Sequence, residues 1–268
     1  MAGRRSSWTG PELTDVRAQL VVDLTEAQGA ADADGKKLVR ACQKGVLEKV
    51  LPLLSIDSVD VNAVDAKWGM TPLHWSIYCR APAIAQVLLV RPDTAINAKD
   101  FKGKTPLHWA CEMGIDSIAL RLLALESIDV NTKATTGMTP LRWALEKGHE
   151  RVALRLLEIE GINIHHVDIR YGMSPLHFAC YTGREAAALR LLEFDDIEIN
   201  ARDRTKYHNT ALHYACWRSL EAVAMRLLSM TGVNAHAQDE VGRTPLHWAR
   251  ERGLHATALR IESLPSPP

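Results

Sequence analysis

The chain has 268 residues, 47% hydrophobic and 24% charged, with 32 Lys plus Arg balanced by 32 Asp plus Glu. Zero formal net charge excludes phosphate or nucleic-acid binding driven by bulk electrostatics, though not a local basic stripe. No apolar run approaches the ~20 residues of a membrane helix.

The chain opens with MAGRRSSWTGPELTDVRAQL, in which no apolar stretch follows the arginines. Neither a secretory signal nor a transit peptide is read there, and cytoplasm or nucleus is the expected compartment. Within residues 1–34, Leu13, Val16, Leu20 and Leu24 line one face of a helix that either caps the adjoining segment or docks elsewhere. GAADADG then reads as a linker. Lys36 to Gly45 (KKLVRACQKG) places Leu38, Ala41, Cys42 and Gly45 in slots that return throughout the chain. Pro52 falls inside the next expected helix and predicts a bend or shortening between Leu47 and Leu54.

From residue 71 one phrase keeps returning. Thr-Pro-Leu-His-Trp begins at Thr71, Thr105 and Thr244, with looser copies at Thr139 (TPLRWA), Ser174 (SPLHFA) and Thr210 (TALHYA). Successive starts are 34, 34, 35, 36 and 34 residues apart. A fixed period of this size marks one supersecondary unit stacked many times, each unit touching only its neighbours. In Lys104 to Asn131, Thr105 is a helix-start residue and Pro106 takes the first helical position, where a missing N–H costs nothing. Leu107, Ala110 and Cys111 mark one buried face, and Gly114 ends the helix. A second helix from about Ser117 to Leu125 carries Ile118, Ala119, Leu122 and Leu123 as its apolar stripe. Both helices are too short to stand alone.

This unit resembles the ankyrin repeat, a β-turn followed by two antiparallel helices with TPLH opening the first. Thr105-Pro106-Leu107-His108 matches that opening, Gly114 the inter-helix glycine, Leu122-Leu123 the paired leucines, and Val130-Asn131 the residues before the hairpin. The resemblance implies an all-helical solenoid with short β-hairpin loops. An N-terminal extension, partly helical or disordered, would span 1–34 and the repeat domain 35–262. Its seven repeats would run over about 35–69, 70–103, 104–137, 138–172, 173–208, 209–242 and 243–262, with a tail over 263–268. The first repeat, where KKLV replaces TPLH, fits a capping role. Arg80 and Ser219 stand where glycine is expected, predicting strained turns; Ala211 replaces proline and Arg142 replaces histidine. The longer connections before Ser174 and Thr210 are expected to project furthest.

His74, His108, His177, His213 and His247 recur once per unit. Packed helices lie 8–10 Å apart while ligands of one zinc lie ~2 Å from it, so the row cannot hold one metal. The resemblance implies a structural ring that bonds near the helix start and the adjoining hairpin. Cys42, Cys111, Cys180 and Cys216 share one slot and read as small buried side chains. Asn62, Asn97, Asn131 and Asn200 match the hairpin asparagines that asparaginyl hydroxylases modify in this family.

Two rows remain as surface candidates. Trp75, Trp109, Trp143, Phe178, Tyr214 and Trp248 lie two residues after the core leucine, about 200° around the helix and facing the inner, concave side. Each ring either packs between neighbouring first helices or joins a groove for a peptide; partial exposure accompanies both. Hairpin-tip residues Trp68, Phe101, Lys102, Tyr171 and Tyr207 complete the candidate contact set, with Lys67, Thr135, Arg170, Lys206 and Glu240 beside them. Arg121, Arg155, Arg190, Arg226 and Arg260 form a second row, but Glu158 and Glu193 lie within salt-bridging range of two of them.

No GxSxG, HExxH, phosphate loop or dinucleotide turn is present. The expectation is therefore a non-enzymatic scaffold or adaptor that binds another protein through its concave helical face and hairpin tips. It needs no cofactor, metal, membrane insertion or small-molecule substrate, and nucleic acid is not an expected partner. Two alternatives stay open: an assembly chaperone, since the repeat number also resembles the proteasome-assembly ankyrin type, and a binder of acidic or phosphate ligands through the arginine row.

Overall fold

Each first helix begins where Thr or Ser meets proline. The computed structural model describes residue 29 and residues 31–265; the apolar face expected at Leu13 to Leu24 lies outside them. The helices are α1 (31–43), α2 (Leu47–Leu54), α3 (Pro72–Tyr78), α4 (Pro82–Leu88), α5 (Pro106–Met113), α6 (Asp116–Leu122) and α7 (Pro140–Lys147). Then come α8 (Glu150–Leu157), α9 (Pro175–Thr182), α10 (Glu185–Leu191), α11 (Ala211–Trp217), α12 (Glu221–Leu228), α13 (Pro245–Glu251) and α14 (His255–Glu262). The hairpin loops are turns, with no strand among the described residues.

The stack has two helical layers. From α3 onward each odd-numbered helix packs on the next odd one, and from α2 each even-numbered helix packs on the next even one. Within a repeat the two helices pack on each other. One hydrophobic cluster runs the length of the array, from Leu38 in α1 to Ile261 in α14. Ala and Cys at the contact positions (Ala110, Cys111, Ala179, Cys180, Ala215, Cys216) are buried and let the layers approach closely.

The histidine does more than start its own helix. His74 Nε2 lies 3.1 Å from the Lys104 carbonyl, His108 Nε2 3.0 Å from that of Met138, His177 Nε2 2.9 Å from that of Ala201, and His213 Nε2 3.2 Å from that of Arg243. A carbonyl only accepts, so Nε2 carries the proton. Nδ1 then accepts from the backbone N–H and hydroxyl of the N-cap residue, as in the pairs Thr71–His74 and Thr105–His108. One neutral ring thus caps its helix and holds the hairpin of the next repeat. His247 has no following hairpin to hold among the described residues; it is half exposed and lies 3.5 Å from Glu251.

Several expectations from sequence meet the structure directly. Arg80 and Ser219 adopt φ of 54° and 61°, the left-handed conformation their slot demands, a strain of roughly 1–2 kcal/mol for an L-residue. The helix containing Pro52 is not shortened; α2 runs to Leu54. Pro52 and Glu48 are both exposed, so the hydrogen bond that Pro52 cannot make is lost on the solvent side of the helix. The segment read as a linker is largely helical, since α1 is under way by residue 31. Alanines at 31 and 33 favour it. Gly35 is there for contact: a Cβ would stand 2.7 Å from that of Ala63 and 3.0 Å from the Asp60 carbonyl.

Burial holds His74 and His108 neutral, with pKa values lowered from 6.5 to about 4, and lowers His177 and His213 as well. The unfolded rings take up protons below pH 6.5 while the folded ones refuse them. Their stabilisation is therefore whole above pH 6.5 and is lost as pH falls towards 4, at about 1.4 kcal/mol per pKa unit. Melting temperature is expected to drop between pH 7 and pH 4.5, and His108→Gln, which keeps a capping side chain, to make that drop shallower. An unchanged slope in the variant would contradict the histidine bridge.

Candidate functional site

Aspartates at the hairpins build the base of the site. Asp65 Oδ1 accepts from the N–H groups of Lys67 and Trp68, and Asp100 Oδ1 from those of Lys102 and Lys104. Asp168, Asp203 and Asp239 fold their own hairpins the same way. The second carboxylate oxygen reaches the aromatic row: Asp65 accepts from Trp75 Nε1 (3.1 Å), Asp100 from Trp109 Nε1 (2.9 Å), and Asp203 from the Tyr214 hydroxyl. Burial and this carboxylate push the Tyr214 pKa up. Successive tips are also tied by backbone bonds: Phe101 N–H to the Trp68 carbonyl, Thr135 to Lys102, Arg204 to Tyr171 and Glu240 to Tyr207.

The third hairpin breaks this pattern. Ala134 stands in the aspartate slot, donating to the Met138 carbonyl as Asp100 donates to that of Lys104. Trp143 Nε1 is consequently buried with no partner among the described residues. No backbone bond joins the tip at 134–138 to the tip at 168–173 among the described residues; the His166 ring contacts the Gly137 carbonyl instead. In the repeat that follows, Arg142 replaces the bridging histidine. It is 6% exposed, lies over the Phe178 ring and gives one guanidinium nitrogen to Glu146, but its Nε has no partner. Burial lowers the Arg142 pKa against the raising effect of Glu146.

The aromatic row is therefore not uniform. Trp109, Phe178 and Tyr214 are buried, whereas Trp75, Trp143 and Trp248 are half-buried. In the N-terminal half the Lys104 ammonium lies 4.3 Å above Trp109 and 4.8 Å above Trp143, pinned there by Glu112. In the C-terminal half a groove of ≈ 1110 Å³ opens between the first-helix row and the tips. Trp143, Phe178, Tyr214 and Trp248 line it together with the tip residues Tyr171 and Tyr207. Trp75, Trp109, Trp68, Phe101 and Lys102 lie outside it. Trp68 sits instead between Lys67 and Lys102, 5.1 and 5.4 Å from its ring, and Phe101 is 66% exposed.

The floor of the groove includes residues that the sequence reading missed. Tyr181 and Trp217 lie three residues after Phe178 and Tyr214, on the same helix face, and stack with centroids 5.9 Å apart. Tyr181 also meets Tyr214 edge-on at 5.5 Å. Their row reads Tyr78, Glu112, Glu146, Tyr181, Trp217 and Glu251 along the stack. Extending the aromatic pattern by one helical turn finds them. The arginine row lies on the other layer, where Arg155 pairs with Glu158 at 3.0 Å and Arg190 with Glu193. Cys42, Cys111, Cys180 and Cys216 are buried, and burial raises their thiol pKa values, to about 12 for Cys42 and Cys216. Among the described residues no group of three His, Cys, Asp or Glu is placed to hold a metal ion.

A buried donor without an acceptor costs about 1–3 kcal/mol. Ala134→Asp restores both the tip acceptor and the partner of Trp143 Nε1, so urea unfolding is expected to show a gain on the order of 1 kcal/mol. A destabilised variant would mean that the slot no longer accepts the aspartate geometry of its neighbours.

The family model described as ankyrin repeats (3 copies) matches residues 38–134, 89–168, 119–203 and 159–239. No curated protein matches the chain. Among solved structures, the ankyrin repeat domain of Bcl-3, titled a unique member of the IkappaB protein family, is similar with a TM-score of 0.63 and 25% sequence identity. The match covers 85% of this chain and 98% of that one. Among the described residues no helix is long and apolar enough to cross a membrane. Paired helices, hairpin-bridging histidines and a family match spanning residues 38–239 together establish that this chain belongs to the ankyrin-repeat family.

Proposed function

We propose that the chain is a non-enzymatic adaptor that holds a partner protein in the groove between its first-helix row and its hairpin tips. Ankyrin repeats generally serve protein–protein interaction and are usually non-catalytic, which supports the class. The observation that carries the finer reading is the division of the aromatic row. At Trp109, where Lys104 and Glu112 cover it, the ring acts as glue. From Trp143 to Trp248 the same row is joined by Tyr181 and Trp217 and lines an open groove of ≈ 1110 Å³. Exposed aromatics in a preformed concavity are what a protein partner uses as anchors. The repeats on either side hold the floor rings Tyr181 and Trp217 in place, which limits the ordering cost of binding.

The arginine row is a weaker candidate for a ligand surface, because two of its members spend their charge on glutamates one turn away. The tips at Trp68, Phe101 and Lys102 belong to this reading as a secondary contact, continuous with the groove along the tip edge but not lining it.

The test compares proteins captured by the intact chain with those captured by Tyr181→Ala/Trp217→Ala. Tyr181 is 39% exposed and Trp217 half-buried, so the double variant is expected to keep its helical circular dichroism. It should lose at least ~90% of a specific captured protein. Undiminished capture by a folded double variant would contradict the groove.

A further inference from the structure

Resting on the groove as the recognition surface, we propose that its occupant is an extended acidic segment of the partner protein. Its carboxylates meet Arg170, Lys206 and Arg243 along the hairpin side, and its backbone answers the unpartnered polar atoms at Arg142, Trp143 and Asn209. The charges lining the groove are Arg142, Arg170, Lys206 and Arg243 against Glu146 and Asp168. Both carboxylates are already used: Glu146 accepts from Arg142, and Asp168 accepts from the N–H groups of Tyr171 and Met173. The cations are not used to the same extent. Arg170 lies 5.0 Å over Tyr171 and Lys206 4.8 Å over Tyr207, and neither reaches a carboxylate within ion-pair distance among the described residues. Arg243 gives only its Nε to Asp239, at 2.9 Å, with its guanidinium over Trp248 and Tyr207. What the groove has in surplus is cationic N–H donors.

Ring geometry separates a peptide from a single-stranded nucleic acid. Bases stack on free ring faces. Here rim faces are covered by Arg170, Lys206 and Arg243, and on the floor Tyr181 and Tyr214 meet edge to face. The unpartnered atoms point the same way. Arg142 Nε and Trp143 Nε1 are donors, while Asn209 Oδ1 is an acceptor. An extended peptide presents both C=O and N–H along its length, whereas a phosphodiester backbone presents acceptors alone. All three atoms are closed to water, so a ligand reaches them only by parting the side chains at the groove wall.

The probe is a random library of roughly twelve-residue peptides, selected on the immobilised full chain and in parallel on Tyr181→Ala/Trp217→Ala. Peptides retained by the intact chain and lost by the variant are expected to favour Asp and Glu over Lys and Arg. A selected peptide should weaken as NaCl rises from about 50 to about 500 mM. It should weaken at least about tenfold on Arg142→Lys, and as much on Arg170→Glu/Lys206→Glu, whose exposed positions leave the fold intact should the buried Arg142 variant not fold. Groove-dependent peptides that are neutral or basic would overturn the acidic occupant while leaving the groove itself standing. Retention indifferent to the double variant would overturn the groove reading. Absence of any enriched peptide, or displacement of the acidic peptide by an oligo-dT of about 20 residues at comparable concentration, would overturn the proposal.

Discussion

Everything in this stack hangs on a neutral imidazole placed between two repeats. Helices of seven or eight residues lack the length to persist alone, and burying a histidine is unfavourable unless both nitrogens are satisfied. The geometry answers both needs at once. The N-cap hydroxyl and N–H satisfy Nδ1, and the carbonyl about thirty residues later satisfies Nε2. Each helix start is thereby fixed to the hairpin after it, and hydrophobic burial between layers can proceed in one register only. The asparagine amides repeat the device on the outer edge: Asn97 donates to the Ser127 carbonyl and accepts from the Asp129 N–H. The hairpins therefore belong structurally to the repeat before them as much as to their own.

That arrangement makes position, rather than residue type, the determinant of role. The same aromatic slot holds Trp109 as a buried strut and Trp248 as a half-buried groove wall. Trp109 gives its Nε1 to Asp100 and has a further first helix packed beyond it, whereas Trp248 stands on the last first helix among the described residues. One turn after Trp109, Glu112 holds Lys104 over the rings; one turn after Phe178 and Tyr214, Tyr181 and Trp217 form an aromatic floor. The junction of the third and fourth repeats marks the boundary. With Ala134 and Arg142 it gives up the hairpin aspartate, the histidine bridge and the tip-to-tip bond together, and the groove begins there. Unsatisfied donors at Arg142 and Trp143 thus stand beside the groove, where local packing rules are relaxed.

The architecture was legible because each repeat writes the same physics in the same order. Thr-Pro marks a helix start, Gly114 a stop, and Leu122-Leu123 a buried stripe, so the elements could be placed within a few residues. Arg80 and Ser219 could be seen as strained from the missing glycine alone. The groove was only half legible. One row of aromatics repeats at a fixed slot and was visible; Tyr181 and Trp217 share their row with three glutamates, and a broken pattern hides a surface. Pro52 does not shorten its helix, because a lost helical hydrogen bond matters little on an exposed face. The GAADADG segment misled because glycine there serves close contact with the first hairpin rather than a turn. Charge counting missed that Lys104 would be drawn over two tryptophans, which depends on a glutamate eight residues away.

The most direct measurement is amide hydrogen exchange on the unmodified chain. If bridging by histidine and aspartate sets local stability, the starts of α3, α5, α9 and α11 exchange in step with the hairpins they hold. Segments 134–138 and 168–173, which lack a tip-to-tip bond between them, then exchange fastest among the internal hairpins. Protection in those two segments equal to that of residues 100–104 and 239–243 would contradict it.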